Sequence, residues 1–109
     1  MKSFLGAALI FGLSFYSTPL WAAGDAAAGK AVYAKKCASC HGQAGEGKEA
    51  IAKTMKVTLK HLGSKDVQAM SDADLKKISV QGMGKMKPVK DLDEKSADDI
   101  VAYLRTLKQ

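Results

Sequence analysis

Cysteine is almost missing from this chain of 109 residues: there are two, Cys37 and Cys40, so close in sequence that they cannot close a loop of any size. The multi-bridge framework that holds small exported domains together is therefore excluded. Histidine is as scarce, with His41 and His61 alone, and a tetrahedral zinc site would have to use every cysteine and histidine in the protein. Aromatic residues make up 6% of the chain and the single tryptophan, Trp21, stands near the N-terminus, so basic surface interleaved with aromatics, as nucleic-acid binders use, is absent. The formal charge is +6, but lysines occur singly or in pairs with no long basic run, which reads as a solvated surface with a docking bias. No stretch alternates apolar and polar with the period of a strand, and no internal repeat is visible. An all-α architecture follows. Nor does any segment suggest a nucleophile with a paired base, so nothing points to an enzyme.

What is present is concentrated in Cys37-Ala38-Ser39-Cys40-His41. Residues three apart on a helical turn share a face, with Cβ atoms about 5 to 6 Å apart, so two thiols can add to the two vinyl groups along one edge of a porphyrin. The histidine that follows can then bind the iron from one side. This is the spacing of a c-type haem attachment site. Three other readings compete. A redox dithiol calls for a βαβ setting, which the alanine- and lysine-rich flanks do not supply; half a zinc site has no second pair; a plain disulfide leaves His41 without a role.

The N-terminus supplies the context. Lys2 precedes an apolar run from Phe4 to Tyr16, too short to span a bilayer comfortably, and small residues close the segment at Ala22-Ala23. Residues 1–22 read as a secretory signal peptide. Cleavage after Ala22 sets Leu20 and Ala22 at the positions the peptidase reads, whereas cleavage after Ala23 sets the bulky Trp21 there; an uncleaved anchor is the alternative, opposed by Pro19. The expected product is one exported, periplasmic domain, 23–109, of a size at which a core alone is marginal and a covalent cofactor serves as a staple. Export also means that the two thiols must be kept reduced until haem is attached.

Along the domain, Asp25 is a candidate N-cap for a helix over Ala26 to Lys36 that runs into the motif, and Gly29 within it marks a crossing point. Three glycines, Gly42, Gly45 and Gly47, make the next segment a loop. Glu49 to Leu62 reads as a short helix followed by loop. Ser71-Asp72-Ala73-Asp74 opens a helix that Gly82 stops. An irregular loop with Met83, Met86 and Pro88 leads to a last helix, from Asp93 or Ser96 to Leu107, with Ile100, Val101, Tyr103, Leu104 and Leu107 on one face.

Together these residues resemble the small soluble monohaem cytochromes c of bacteria and algae, the class I c-type cytochromes, over nearly all of residues 23–109. The resemblance implies a cytochrome c fold of three to five helices around one covalent haem c. The first and last helices would cross at Gly29 beside Tyr33 and Tyr103. Cys37 and Cys40 would carry the thioether links and His41 would bind iron on the proximal side. Loops of the Gly-Lys-Met-x-Pro kind select Met86, in Gly84-Lys85-Met86-Lys87-Pro88, as the distal ligand, with Met83 as runner-up. Met55 and Met70 read as gap fillers. His61 is a rival ligand that would lower the potential, and an iron with no sixth protein ligand would bind small molecules. One departure is plain: no proline lies between His41 and Pro88, so the acceptor that orients the His41 ring is unassigned.

The function so implied is a monomeric one-electron carrier. It would dock redox proteins with acidic surfaces through Lys48, Lys53, Lys56, Lys85, Lys87 and Lys90. The alternatives are a haem enzyme or sensor with an open iron, and a haem subunit of a larger oxidoreductase.

Overall fold

The computed structural model describes residues 24–109, with Gly12 in isolation; the segment read as a signal peptide and its cleavage site lie outside the described residues. The elements are α1 (Ala26–Lys36), α2 (Ala38–His41), α3 (Glu49–Met55), α4 (Lys65–Gln68), α5 (Asp72–Gln81) and α6 (Glu94–Thr106). Among the described residues there is no strand, only an isolated bridge between Met83 and Met86. Among the described residues there are six helical segments, of which α2 and α4 are single turns of four residues, so that the longer helices number four, within the three to five implied by the resemblance. The α2 turn is the continuation of α1 past Cys37. The α4 turn is set by Ser64, whose hydroxyl accepts from the Val67 N–H, a cap too local to show as periodicity.

The longer helices begin where short polar side chains can satisfy their first amides. Asp25 accepts from the N–H groups of Ala27 and Ala28 at 2.9 and 3.2 Å, Ser71 from Asp74 at 3.1 Å, and Asp93 from Ser96 at 2.7 Å. Gly82, at φ 77°, ends α5 with its N–H on the Ile78 carbonyl. These caps lie where the sequence signals set them.

The core is α1 packed on α6. A Cβ added to Gly29 would stand 1.8 Å from the Asp99 carbonyl oxygen, so the helices meet backbone to backbone and only glycine permits it. One turn on, the rings of Tyr33 and Tyr103 lie 5.1 Å apart at 57°, a tilted aromatic pair. Tyr33, Ala38, Ile100, Tyr103 and Leu104 form the buried cluster, and Val67, Leu75 and Val101 a second one under α5. Burying each large side chain contributes about 1.5 to 3 kcal/mol.

Two polar fasteners hold this frame. Asp99, 5% exposed, accepts from Lys95 Nζ at 2.9 Å and from the Asp25 N–H at 2.8 Å, which ties the start of α1 to α6 and holds the carboxyl below the usual range. Arg105 donates to the Asp72 carboxylate and to the carbonyls of Gln68 and Met70, fastening α4 and α5 to the end of α6.

Candidate haem site

The motif is shaped by the end of α1. Cys37, at φ −116° and ψ −36°, turns the chain into α2, and the N–H groups of Cys40 and His41 both point to the Cys37 carbonyl, at 3.2 and 3.0 Å. One turn thus presents the two cysteines and the histidine together. Both thiols are unpaired and half-buried. Burial pushes the Cys37 thiol up to about 11, against the lowering effect of Lys36 and with a further rise from Cys40. A redox dithiol needs the opposite shift, toward thiolate.

Burial lowers the pKa of His41 as well, so its imidazole is neutral, the form that ligates metals. Its Nδ1 atom is buried without a hydrogen-bond partner, and the acceptor missing from the sequence is likewise not found among the loop atoms. The loop after His41 is held tightly nonetheless. Gly47 donates to the His41 carbonyl at 2.6 Å, Lys48 to the Cys40 carbonyl at 2.9 Å, and Gly45 accepts from the Leu62 N–H at 2.8 Å. The Tyr33 hydroxyl donates to the Gly42 carbonyl, and the Tyr103 hydroxyl to that of Gln43 at 3.3 Å. Gly42, at φ 80°, and Gly47, at φ 77°, take conformations that side chains resist.

The motif borders a cavity of about 860 Å³, within the size range of cofactor pockets. Cys37, Cys40 and His41 line one part of it; Ile51, Val57, Leu59, Leu62, Leu75, Ile78, Ile100 and Leu104 make the rest largely apolar. Met55, Met70, Met83 and Met86 all reach it. Val57 and Leu59 belong to the loop after α3, where the sequence showed apolar residues with no helical period; their spacing of two was the available sign. The two methionines of the last loop are paired across a tight turn, Met86 half-buried and Met83 64% exposed. Lys85, between them, donates to the Met55 carbonyl at the end of α3 at 2.6 Å and so ties the loop to that helix.

His61 stands elsewhere. It is not among the cavity-lining residues, and its Nδ1 accepts from the Gly63 N–H at 2.9 Å, a turn-closing role. Of the lysines read as framing the site, Lys85, Lys87 and Lys90 line the cavity, whereas Lys48, Lys53 and Lys56 do not; Lys53 pairs with Glu49 at 3.0 Å. Lys36 and Lys60, which sequence reasoning passed over, do line it. Among the described residues no group of three or more His, Cys, Asp or Glu side chains is arranged to hold a metal ion by itself. Paired thiols, a neutral imidazole and thioethers around an apolar cavity form a donor set that fits a covalently attached haem. No described helix is long and apolar enough to cross a membrane.

Comparison with known proteins agrees with this chemistry. Residues 24–104 match the family model described as cytochrome C oxidase, cbb3-type, subunit III. The chain is 36% identical over 92 residues to cytochrome c-554(547) of Halothiobacillus neapolitanus, covering 79% of this chain and all of that protein. Among solved structures it is similar to the KustC0563 c-type cytochrome, with a TM-score of 0.63 and 21% identity over 74% of this chain and 98% of that one. It also resembles the sulfane dehydrogenase SoxCD of Paracoccus pantotrophus, with a TM-score of 0.55 and 24% identity, over 97% of this chain but 59% of that one.

Proposed function

Given that the chain belongs to the family of cbb3-type subunit III cytochrome c domains, and is thus an all-α c-type cytochrome with a single covalent haem, we propose that its site is a His/Met electron-transfer centre. In this reading Cys37 and Cys40 would carry the thioether bonds, and His41 and Met86 would be the protein groups that hold the iron. The observation that carries it is that one apolar cavity is lined both by the attachment motif and by the Met86 loop.

When bound, the haem supplies a one-electron iron couple. The chain's own residues do the rest. His41, on a turn held by Tyr33, Gly47 and Lys48, offers a nitrogen that has little freedom to move between oxidation states. Met86 offers a soft thioether, which favours the ferrous state and raises the potential relative to a second nitrogen. The apolar lining excludes water and keeps the surroundings from reorganising with each electron. Exposed Lys36, Lys60, Lys85, Lys87 and Lys90 at the cavity bias docking toward acidic partners, with rates that fall as ionic strength rises. Residues 1–22 act as the export signal and the domain works in the periplasm.

The test is spectroscopy of the protein matured in a periplasm. The ferric form should show the weak near-red sulfur-to-iron band, and the ferrous form should resist carbon monoxide. A ferrous protein that takes up carbon monoxide readily would overturn the carrier reading in favour of an open iron, and a ferric protein without that band that still resists carbon monoxide would overturn Met86 as the ligand. A second reading, a haem subunit of a larger oxidoreductase, is favoured by the family description and by the likeness to part of SoxCD. Copurification of the native protein with a membrane complex separates it from a free carrier.

A further inference from the structure

Met83 and Met86 exchange both of their backbone hydrogen bonds: the Met83 N–H donates to the Met86 carbonyl and the Met86 N–H to the Met83 carbonyl, each at 3.0 Å. Residues paired in this way have Cα atoms about 5.5 Å apart and side chains on one face of the ribbon. Gly84, at φ 57°, and Lys85 form the link between them. Both thioethers therefore leave the turn on the same side, and both line the cavity that His41 lines. Their surroundings differ. Met86 is half-buried, while Met83 is 64% exposed, with little packing to hold it where it lies. The turn is anchored between the two, by Lys85 on the Met55 carbonyl, and nothing stands within 4 Å of a Cβ built at Gly84. An unbranched side chain with three rotatable bonds, on a glycine-flanked turn, adapts to a displacement of this size.

We propose that the turn is a paired thioether site, in which Met86 holds the sixth position in the resting protein and Met83 takes that position when Met86 cannot. The proposal rests on the reading of Met86 as the distal ligand. Exchange would be a ligand substitution, with the Met86 thioether released as the Met83 thioether binds and no net electron or proton transferred.

The experiment compares haem-loaded wild type with Met86→Ala, Met83→Ala and the double variant. It reads the ferric near-red band and carbon monoxide uptake by the ferrous protein. The expected result is a displaced but retained sulfur band in Met86→Ala, a wild-type spectrum in Met83→Ala, and loss of the band with ready carbon monoxide uptake only in the double variant. If Met86→Ala behaves like the double variant while Met83→Ala keeps the band, the paired site is wrong and the Met86 assignment stands. If Met83→Ala loses the band, or wild type lacks it, the underlying assignment fails and the paired site with it. Should Met86→Ala not mature, Met86→Leu keeps the side-chain volume and is judged by the same outcomes.

Discussion

Around Gly29 the chain packs backbone against backbone, with a carbonyl where a methyl group would have to be, whereas the turn from Met83 to Met86 meets solvent and rests on two mutual hydrogen bonds and one lysine. Both regions serve the same cavity. The crossing of α1 and α6 supports Tyr33 and the motif, where displacement would disturb the covalent attachment. The methionine turn would, in the proposed reading, hold a ligand that need only be within reach. Packing density is thus spent on the side that carries the thiols and the imidazole, and the opposite side is left adaptable.

The largest expected effect comes from breaking the dense side. Gly29→Ala sets a methyl carbon into the Asp99 carbonyl and forces α1 from α6, a loss of about 3 kcal/mol. Denaturant unfolding of the haem-loaded protein should show it, and an unchanged midpoint would mean that the crossing is looser than the packing states. Tyr33→Phe removes the hydroxyl donor to the buried Gly42 carbonyl and should cost about 1 kcal/mol, because that acceptor keeps only the long bond from the Gly45 N–H at 3.3 Å. Tyr103→Phe, whose bond is long, should cost less in the same assay.

Asp99 offers a pH-dependent test of the same frame. Lys95 and the Asp25 N–H hold its carboxyl below the ordinary carboxylate range. A depressed folded pKa contributes stability that is complete above the unfolded value, about 3.9, and is lost as pH falls through the lower folded value. Asp99→Asn should therefore be less stable than wild type at neutral pH, and the gap should narrow below about pH 4 when unfolding midpoints are followed downward. A gap that stays constant through the acid range would remove the carboxylate from the account. The smallest effect belongs to the open side. Lys85→Ala loses an exposed hydrogen bond of about 0.5 kcal/mol. Global stability should hardly change, while amide exchange at Met83 and Met86 should quicken; equal exchange in both proteins would show the loop to be held by something else.

What could be read without the fold was what depends on neighbours in sequence. The caps at Asp25, Ser71 and Asp93 and the stop at Gly82 act over three or four residues, and the Cys37–His41 pattern is just as local. Gly29 as a crossing point was legible because a glycine inside an alanine-rich helix demands a reason. Contacts between distant residues were another matter. That Asp99 caps the start of α1 from 74 residues away, that the Tyr33 hydroxyl steadies the loop after His41, and that His61 closes a turn and stays off the cavity are settled by how helices cross, and no local pattern encodes that. The same holds for Met83 and Met86. Sequence named both as thioethers in one loop, but only the folded turn, by pairing their backbones, set both side chains on the same side.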